Sequence, residues 1–328
     1  MKAIRMAALI GCALVLLVPA YASAQAQDYP DRPVNFVVPF AAGGSTSLFA
    51  RLIGQKLEER LGKPFVIENK PGGGGVIGAM QVVRAAPDGY TVMMASSTIL
   101  AINYSVRKNL PYDPHKDLTP LALIARVPYV LVVNPDLPVR SVDDLVKLAK
   151  SKPGKLSFAT VGPGTIHHLN AEMFKTIFGL DLVHVPYKGT ALALQDVVAG
   201  HVQFMFSDVP PAKGLVESGK VRALGVTTAE RVKALPNVPP LAEVGIPNYN
   251  TSSWHTISTT AGVPKPIVEK LAKEIRAVMA EPDVQELLSN EGAIPQISPP
   301  PDELRKFVDS EIDRWGQVVE KAGIAHSQ

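Results

Sequence analysis

The chain has 328 residues, enough for two domains that each bury a core. Its 33 Lys and Arg stand against 30 Asp and Glu, a formal net charge of +3 without basic clusters, which excludes an electrostatic footprint for nucleic acid. The single cysteine is Cys12, so no disulfide framework and no thiolate metal site is expected beyond it.

The opening MKAIRMAALIGCALVLLVPAYASA places Lys2 and Arg5 before an apolar run from Met6 to Val18 and ends on Ala22-Ser23-Ala24. That is the pattern of a secretory signal peptide spanning residues 1–24, cleaved after Ala24, and it implies an exported protein. Lipid attachment at Cys12 is disfavoured, because cleavage beside it splits the apolar core of the signal. No later stretch reaches the length of a membrane span.

Val34 to Val38 reads as a first buried strand. It runs through Pro39 into small residues and a helix from Thr46 to Leu61, stopped at Gly62. Gly43 and Gly44 leave the backbone open, and the first turn of a helix carries N–H groups without intrahelical partners, so this junction is a natural anion cradle. The plainer reading is a βα turn in which Ser45 or Thr46 caps the helix.

Phe65 to Glu68 forms a second strand, and Gly72 to Gly75 leads into a further helix. Gly73, Gly75 and Gly78 match GxGxxG, but the next strand, Thr91 to Ala95, runs into Ser96-Ser97-Thr98 and not into the acid that a dinucleotide ribose needs. A flexible loop with close helix packing is expected instead, and no cofactor. The hydroxyls at Ser96 and Ser97 follow the C-terminal end of a strand, where open α/β sheets place ligands.

Leu121 to Val133 is almost continuously apolar and marks a first crossing between domains. Ser141 caps a helix through Ser151. The strand Leu156 to Thr160 then runs into Gly162-Pro163-Gly164-Thr165 and a helix holding His167, His168 and Glu172, which repeats the opening theme. His168 and Glu172 have the i, i+4 spacing of a metal pair but no third ligand, so no metal is expected, and His168 is read as packed or cleft-lining.

Val183 to Pro186, then Lys188-Gly189-Thr190 and a helix to Ala199, give another junction rich in backbone donors. Val202 to Phe206 follows, closed by Ser207-Asp208. Val221 to Thr227 carries the chain back. Trp254 and His255 lie in an extended segment and offer flat faces, either to a ligand or, for Trp254, to the core. From Lys265 the chain is helical.

The stretches YPDRPVNFVVPFAAGG, ENKPGGGGVIGA, PDGYTVMMAS, PGKLSFATVGPGTIHHLNAEMF, VPYKGTALALQDVVAGHVQFMFSD, VRALGVTT and AGVPKP resemble, in order and spacing, the periplasmic substrate-binding proteins of tripartite tricarboxylate transporters, the Bug receptors. The resemblance spans essentially the whole chain after residue 24. It implies a two-lobed, Venus-flytrap α/β fold, with lobe 1 at 25–124 and 226–328 and lobe 2 at 125–225. It also implies a periplasmic receptor, not an enzyme, that binds a small carboxylate and serves membrane permease subunits, as a monomer.

Carried over by position, the first lobe contributes Phe40, Ala42, Gly43, Gly44, Ser45, Thr46 and Ser47, with Ser96 and Ser97. The facing lobe contributes Gly164, Thr165, His168, Gly189, Thr190 and Asp208. The chain departs from the family's GGxxD pattern at Ser47, and from Trp-x-Gly at Trp254-His255-Thr256. Both departures favour a more anionic, flat ligand, such as an aromatic dicarboxylate of the terephthalate type, because Ser47 removes a like charge from the cleft. Two rival classes remain: an exported serine-type hydrolase using Ser47 or Ser96 with His168, though no GxSxG elbow is present, and a ligand sensor for a two-component system.

Overall fold

The computed structural model describes residues 29–328, so the expected signal peptide lies outside the described residues. β1 (Val34–Val38) is buried except at Asn35, as befits a central parallel strand whose other four residues are apolar. α1 (Ser45–Leu61) follows it and ends at Gly62, whose left-handed φ of 70° turns its N–H back onto the Glu58 carbonyl. β1 lies parallel between β2 (Phe65–Asn69) and β3 (Thr91–Ser96). Between these come the glycine loop at 72–75 and α2 (Val76–Val83), and after β3 a wide turn leads into α3 (Asn103–Val106).

The 16-residue β4 (Leu118–Val133) joins the two lobes. Next come α4 (Val142–Ser151), capped by the Ser141 hydroxyl as expected, then β5 (Ser157–Thr160), α5 (Ile166–Phe178) and β6 (Val183–Pro186). They are followed by α6 (Thr190–Val198), β7 (Phe204–Asp208), α7 (Val209–Glu217) and β8 (Arg222–Val226). β9 (Ser252–Thr260), α8 (Lys265–Met279), α9 (Pro282–Asn290), the short β10 (Ile294–Pro295) and α10 (Pro301–Lys321) complete the chain.

From Leu118 to Pro128, β4 pairs antiparallel with β9, which continues through β3 and β1 to β2. From Tyr129 to Val133 it pairs instead with β7, beyond which β5 and β6 run parallel. β8 flanks β4 on its other side there. The exchange of partners falls at Pro128, which has no N–H to give to either sheet. Directly past it, Tyr129 is opposite Asp208. The last residue of β7 is thereby fixed at the seam between the lobes.

After β8 the chain does not leave the second lobe at once. Val232, Leu235 and Val238 are buried with Val130 and Met205, while Leu241, Ile246 and Tyr249 are buried with Leu131 and Phe206. Sequence reading hands everything from residue 226 to the first lobe, whereas these side chains pack with the second. Thr227 and Thr251 close the excursion, with the Thr227 hydroxyl donating to the Thr251 carbonyl at 2.7 Å and the Thr251 N–H to the Thr227 carbonyl at 2.9 Å.

The lobes meet face to face. The Ala41 N–H donates to the Lys188 carbonyl at 3.1 Å, and the Ile166 N–H to the Thr98 hydroxyl at 3.4 Å. The glycine loop takes part, since a Cβ on Gly74 would lie 2.7 Å from the Pro163 carbonyl oxygen. This contact gives the GxGxxG stretch a structural use.

Candidate functional site

The C-terminal ends of β1, β3 and β7 and the start of α5 converge on an enclosed inter-lobe cavity of about 20 Å³. It is lined by Phe40, Gly44, Ser45, Thr46, Ser96, Thr190, Asp208 and His255, all named in the sequence reading, together with Ala41, Thr98, Tyr129, Val161, His167 and Ser253.

α1 begins at Gly44 with no side-chain cap of its own and no acid in its first turn. Its orphan N–H groups therefore need an acceptor from elsewhere. Asp208 of the facing lobe supplies it, with its Oδ2 accepting from the Ser45 N–H at 3.1 Å. The other oxygen, Oδ1, accepts from the Thr190 hydroxyl at 2.8 Å and lies 3.1 Å from His167 Nε2, which donates to it. Burial acts to raise the Asp208 pKa, but the bonds and charge from His167 and the Ser45 N–H prevail and hold it well below the usual carboxylate range.

The sequence argument took Ser47 to leave the cradle free of negative charge. The fold returns one there from the other lobe, so the charge balance of the cleft rests on Asp208.

Several polar atoms around the cavity have no protein partner. Among the described residues, the buried Ser96 hydroxyl, His167 Nδ1 and His255 Nδ1 make no hydrogen bond. Burial depresses His255 to about 4, with Asp208 opposing and His167 adding to the shift, so its ring is neutral near pH 7. Tyr129 meets the His167 ring edge-on with centroids 4.9 Å apart, and burial followed by the Asp208 charge pushes its phenol far up. Together these groups form a small, aromatic-walled space with unused donors and acceptors.

The other residues expected at the site lie elsewhere. Ala42 is exposed on the loop, and Gly43 and Ser47 border a separate space on the outer side of α1. The Ser97 hydroxyl pairs with that of Ser253 at 2.9 Å. Thr165 caps α5 within its own lobe, its hydroxyl donating to the Gly162 carbonyl at 2.7 Å and accepting from the His168 N–H at 3.5 Å. The Gly164 N–H is turned to His168 Nδ1 at 3.4 Å.

His168 packs away from the cavity, stacked on His184 with centroids 4.5 Å apart, its Nε2 3.6 Å from Glu172. Gly189 abuts Ala41. Trp254 points to the opposite face of β9, where its indole N–H donates to Glu311 at 2.6 Å and its ring meets Phe307 edge-on. The hydrolase alternative needs a serine at His168. The Ser47 and Ser96 hydroxyls, however, bond to nothing, and His168 is engaged by Gly164 and Glu172.

His167 and Ser253 were missed for reasons of phase. A histidine doublet at a helix start does not reveal which ring turns inward. In β9 the period of two puts Ser253 and His255 on one face and Trp254 on the other, a signal the sequence did carry. Thr98 directly follows the two serines that were chosen.

Residues 49–324 match the tripartite tricarboxylate transporter family receptor. BugT of Bordetella pertussis is 36% identical over 303 residues, 92% of this chain and 93% of BugT. Rpa4515 of R. palustris, solved with adipate, is 40% identical with a TM-score of 0.87, covering 91% of this chain and 99% of its own. MatC of Rhodopseudomonas palustris, solved with bound malate, is 33% identical with a TM-score of 0.83, covering 89% and 100%. With its two α/β lobes closed on a cavity at the strand ends, the chain belongs to the tripartite tricarboxylate transporter receptor family.

Proposed function

We propose that the protein is a periplasmic solute-binding receptor that captures a small dicarboxylate between its lobes and presents it, as a monomer, to the membrane subunits of a tripartite tricarboxylate-type permease. On this reading the first lobe comprises the chain to Val127 and from Ser252 onward, and the second the segment between. The observation that carries the proposal is the carboxylate of Asp208 seated on the Ser45 N–H, with further donors from Thr190 and His167. A site that holds its own buried carboxylate has the donors and the dipole to hold another. The adipate and malate of the two solved relatives are dicarboxylates of the same kind.

The mechanism follows from size. A cavity of about 20 Å³ has room for roughly one water, so the lobes must part before an organic acid enters. Once they part, the α1 amides are exposed, and a ligand carboxylate takes the place of Asp208 at Ser45. Closure then adds Thr190, His167 and the unpartnered Ser96 and His255. A ligand shifts the opening equilibrium only by its extra affinity for the closed form, so these second contacts act on closure more than on first encounter. Two carboxylates brought together in a buried site each raise the pKa of the other, which opposes capture unless Asp208 gives way.

Within the dicarboxylates, a ring-bearing acid of the terephthalate type is the finer reading. Phe40, Tyr129, His167 and His255 offer flat faces, and Trp254 takes no part. Calorimetry with terephthalate, adipate, malate and a zwitterionic amino acid tests both levels. Binding of the dicarboxylates is expected, with terephthalate ahead of adipate. A preference for the amino acid overturns the receptor reading, and a preference for adipate over terephthalate overturns the aromatic one.

A further inference from the structure

On the outer side of the α1 start is a second space of about 210 Å³, bordered by Gly43, Gly44, Leu48 and Arg51 from one lobe and by Pro210 and Pro211, at the start of α7, from the other. The contact of the lobes seals it from the enclosed cavity: a Cβ on Gly43 would lie 2.8 Å from the Ala191 Cβ, and one on Gly44 3.4 Å from the Thr190 hydroxyl oxygen. The space is a groove that faces solvent, with Gly43 and Arg51 exposed at its rim. Because its walls come from both lobes, it is complete only while they are closed.

Arg51 is the one charged residue that borders the groove. The other bases of α1 are spent on acids of their own lobe, Lys56 on Glu281 and Asp283 and Arg60 on Glu274, whereas Arg51 makes no ion pair or hydrogen bond among the described residues. The α1 start adds positive potential, since its first turn holds no acid. Asp208, the residue before α7, gives its carboxylate to the enclosed cavity. On the facing wall Pro210 and Pro211 have no N–H to satisfy, so that lobe presents apolar surface without a donor, and Leu48, half-buried beside Arg51, extends it. A cation at the rim and an apolar wall opposite complement an acidic side chain carried next to an apolar one.

We propose that this groove is the surface on which the membrane subunits of the permease dock, and that its occupant is a short loop of one of them carrying an acidic residue beside an apolar one. This rests on the receptor reading above. The acid pairs with Arg51, and the apolar side chain lies on Leu48, Pro210 and Pro211. Since the two lobes build the groove together, docking reports closure: the partner meets a whole groove on a receptor that has closed on its solute and half a groove on an open one. The rim charge also steers the encounter, so docking weakens as salt rises.

The test measures uptake of adipate into proteoliposomes that hold the membrane subunits, as a function of added receptor, beside calorimetry of adipate binding to the same receptor. Arg51→Glu sets a like charge against the acid of the partner, and Pro211→Asp does so from the other lobe. Each is expected to raise the receptor concentration for half-maximal uptake about tenfold while the adipate dissociation constant stays within about twofold. Arg51→Lys keeps the charge and is expected to stay within about threefold of the wild type. Thermal unfolding without ligand checks that the variants fold.

An unchanged half-maximal concentration in Arg51→Glu overturns the docking surface. So does an effect of Arg51→Glu with Pro211→Asp like the wild type, because the partner then does not span the two lobes. A loss of adipate affinity as large as the loss of uptake overturns it too, because it returns the groove to solute capture. A wild type that binds adipate and drives no uptake removes the partner, and the surface with it. Failure of the wild type to bind terephthalate, adipate or malate overturns the receptor reading itself, a result distinct from all of these.

Discussion

The starts of α1 and α5 are the same device in sequence, a glycine-bearing loop after a strand and a Ser or Thr at the helix start, yet they do different work. α5 is closed on itself. Thr165 caps it, His168 takes the Gly164 N–H, the Ile166 N–H goes to Thr98, and what the turn offers the cavity is the side chain of His167. α1 has no internal cap, and its first N–H reaches across the cleft to Asp208. A helix start is a binding site only where its own cap residue does not turn in, and that choice is made by the backbone of one residue. Gly44 has no side chain to turn, whereas Thr165 has one and uses it.

The contrast is most severely strained by Asp208→Ala. Removing this carboxylate leaves the Ser45 N–H, the Thr190 hydroxyl and His167 unpaired in a buried place. A loss of about 3–5 kcal/mol is expected from denaturant unfolding. The same variant should populate the open form, read as a larger radius of gyration in solution scattering. A loss under about 1 kcal/mol, with no change in size, would mean that α1 is satisfied without its partner lobe.

Acid separates the two lobes next. His255 at the site and His184 beside α5 both have pKa values depressed to about 4, chiefly by burial. A histidine whose pKa is lower when folded contributes stability that is complete above about 6.5 and is lost as pH falls toward 4. For the fully buried His255 the shift corresponds to about 3 kcal/mol. His184 is only partly covered, and solvent reduces its share. Replacing His255 by Phe should flatten the fall in stability between pH 6.5 and 4 more than replacing His184 does, and the reverse order would place the stiffer titrating site in the wrong lobe.

Closure itself is probed by Gly189→Val. The backbone there has φ of −177°, extended and open to any residue, so the free lobe tolerates the change. A Cβ would nevertheless stand 2.7 Å from the Ala41 Cβ of the opposing lobe. The penalty falls on the closed form alone, about 1–3 kcal/mol, which weakens carboxylate binding roughly 10- to 100-fold. An unaltered dissociation constant would show that the ligand is held without this approach of the lobes.

Much of the fold was legible because it is written in strong local signals. β1, the helix from Thr46 to Leu61, the long apolar run of β4 and the Ser141 cap were read from the sequence with bounds close to those observed. The excursion 227–251 was not, because its scattered Val, Leu and Pro residues have no period and their burial is decided by a lobe formed elsewhere in the chain. At the site, glycines and hydroxyls on strand ends could be listed by position. Their partners could not, since the Asp208–Ser45 contact spans 163 residues and depends on both lobes closing. Side-chain phase was the other blind spot: His167 and not His168 faces inward, and Trp254 turns to Glu311.

The smallest effect is the sharpest check on the comparison. Thr165→Ala removes the cap of α5, whose hydroxyl both accepts from the His168 N–H and donates to Gly162. Loss of such a cap costs about 1 kcal/mol. Because the Thr165 hydroxyl bonds only within its own lobe, the cost should appear in the unfolding free energy and leave adipate binding unaltered within about twofold. The opposite pattern, intact stability with binding lost, would mean that the α5 turn opens in solution and offers its amides to the ligand. The two helix starts would then be alike after all.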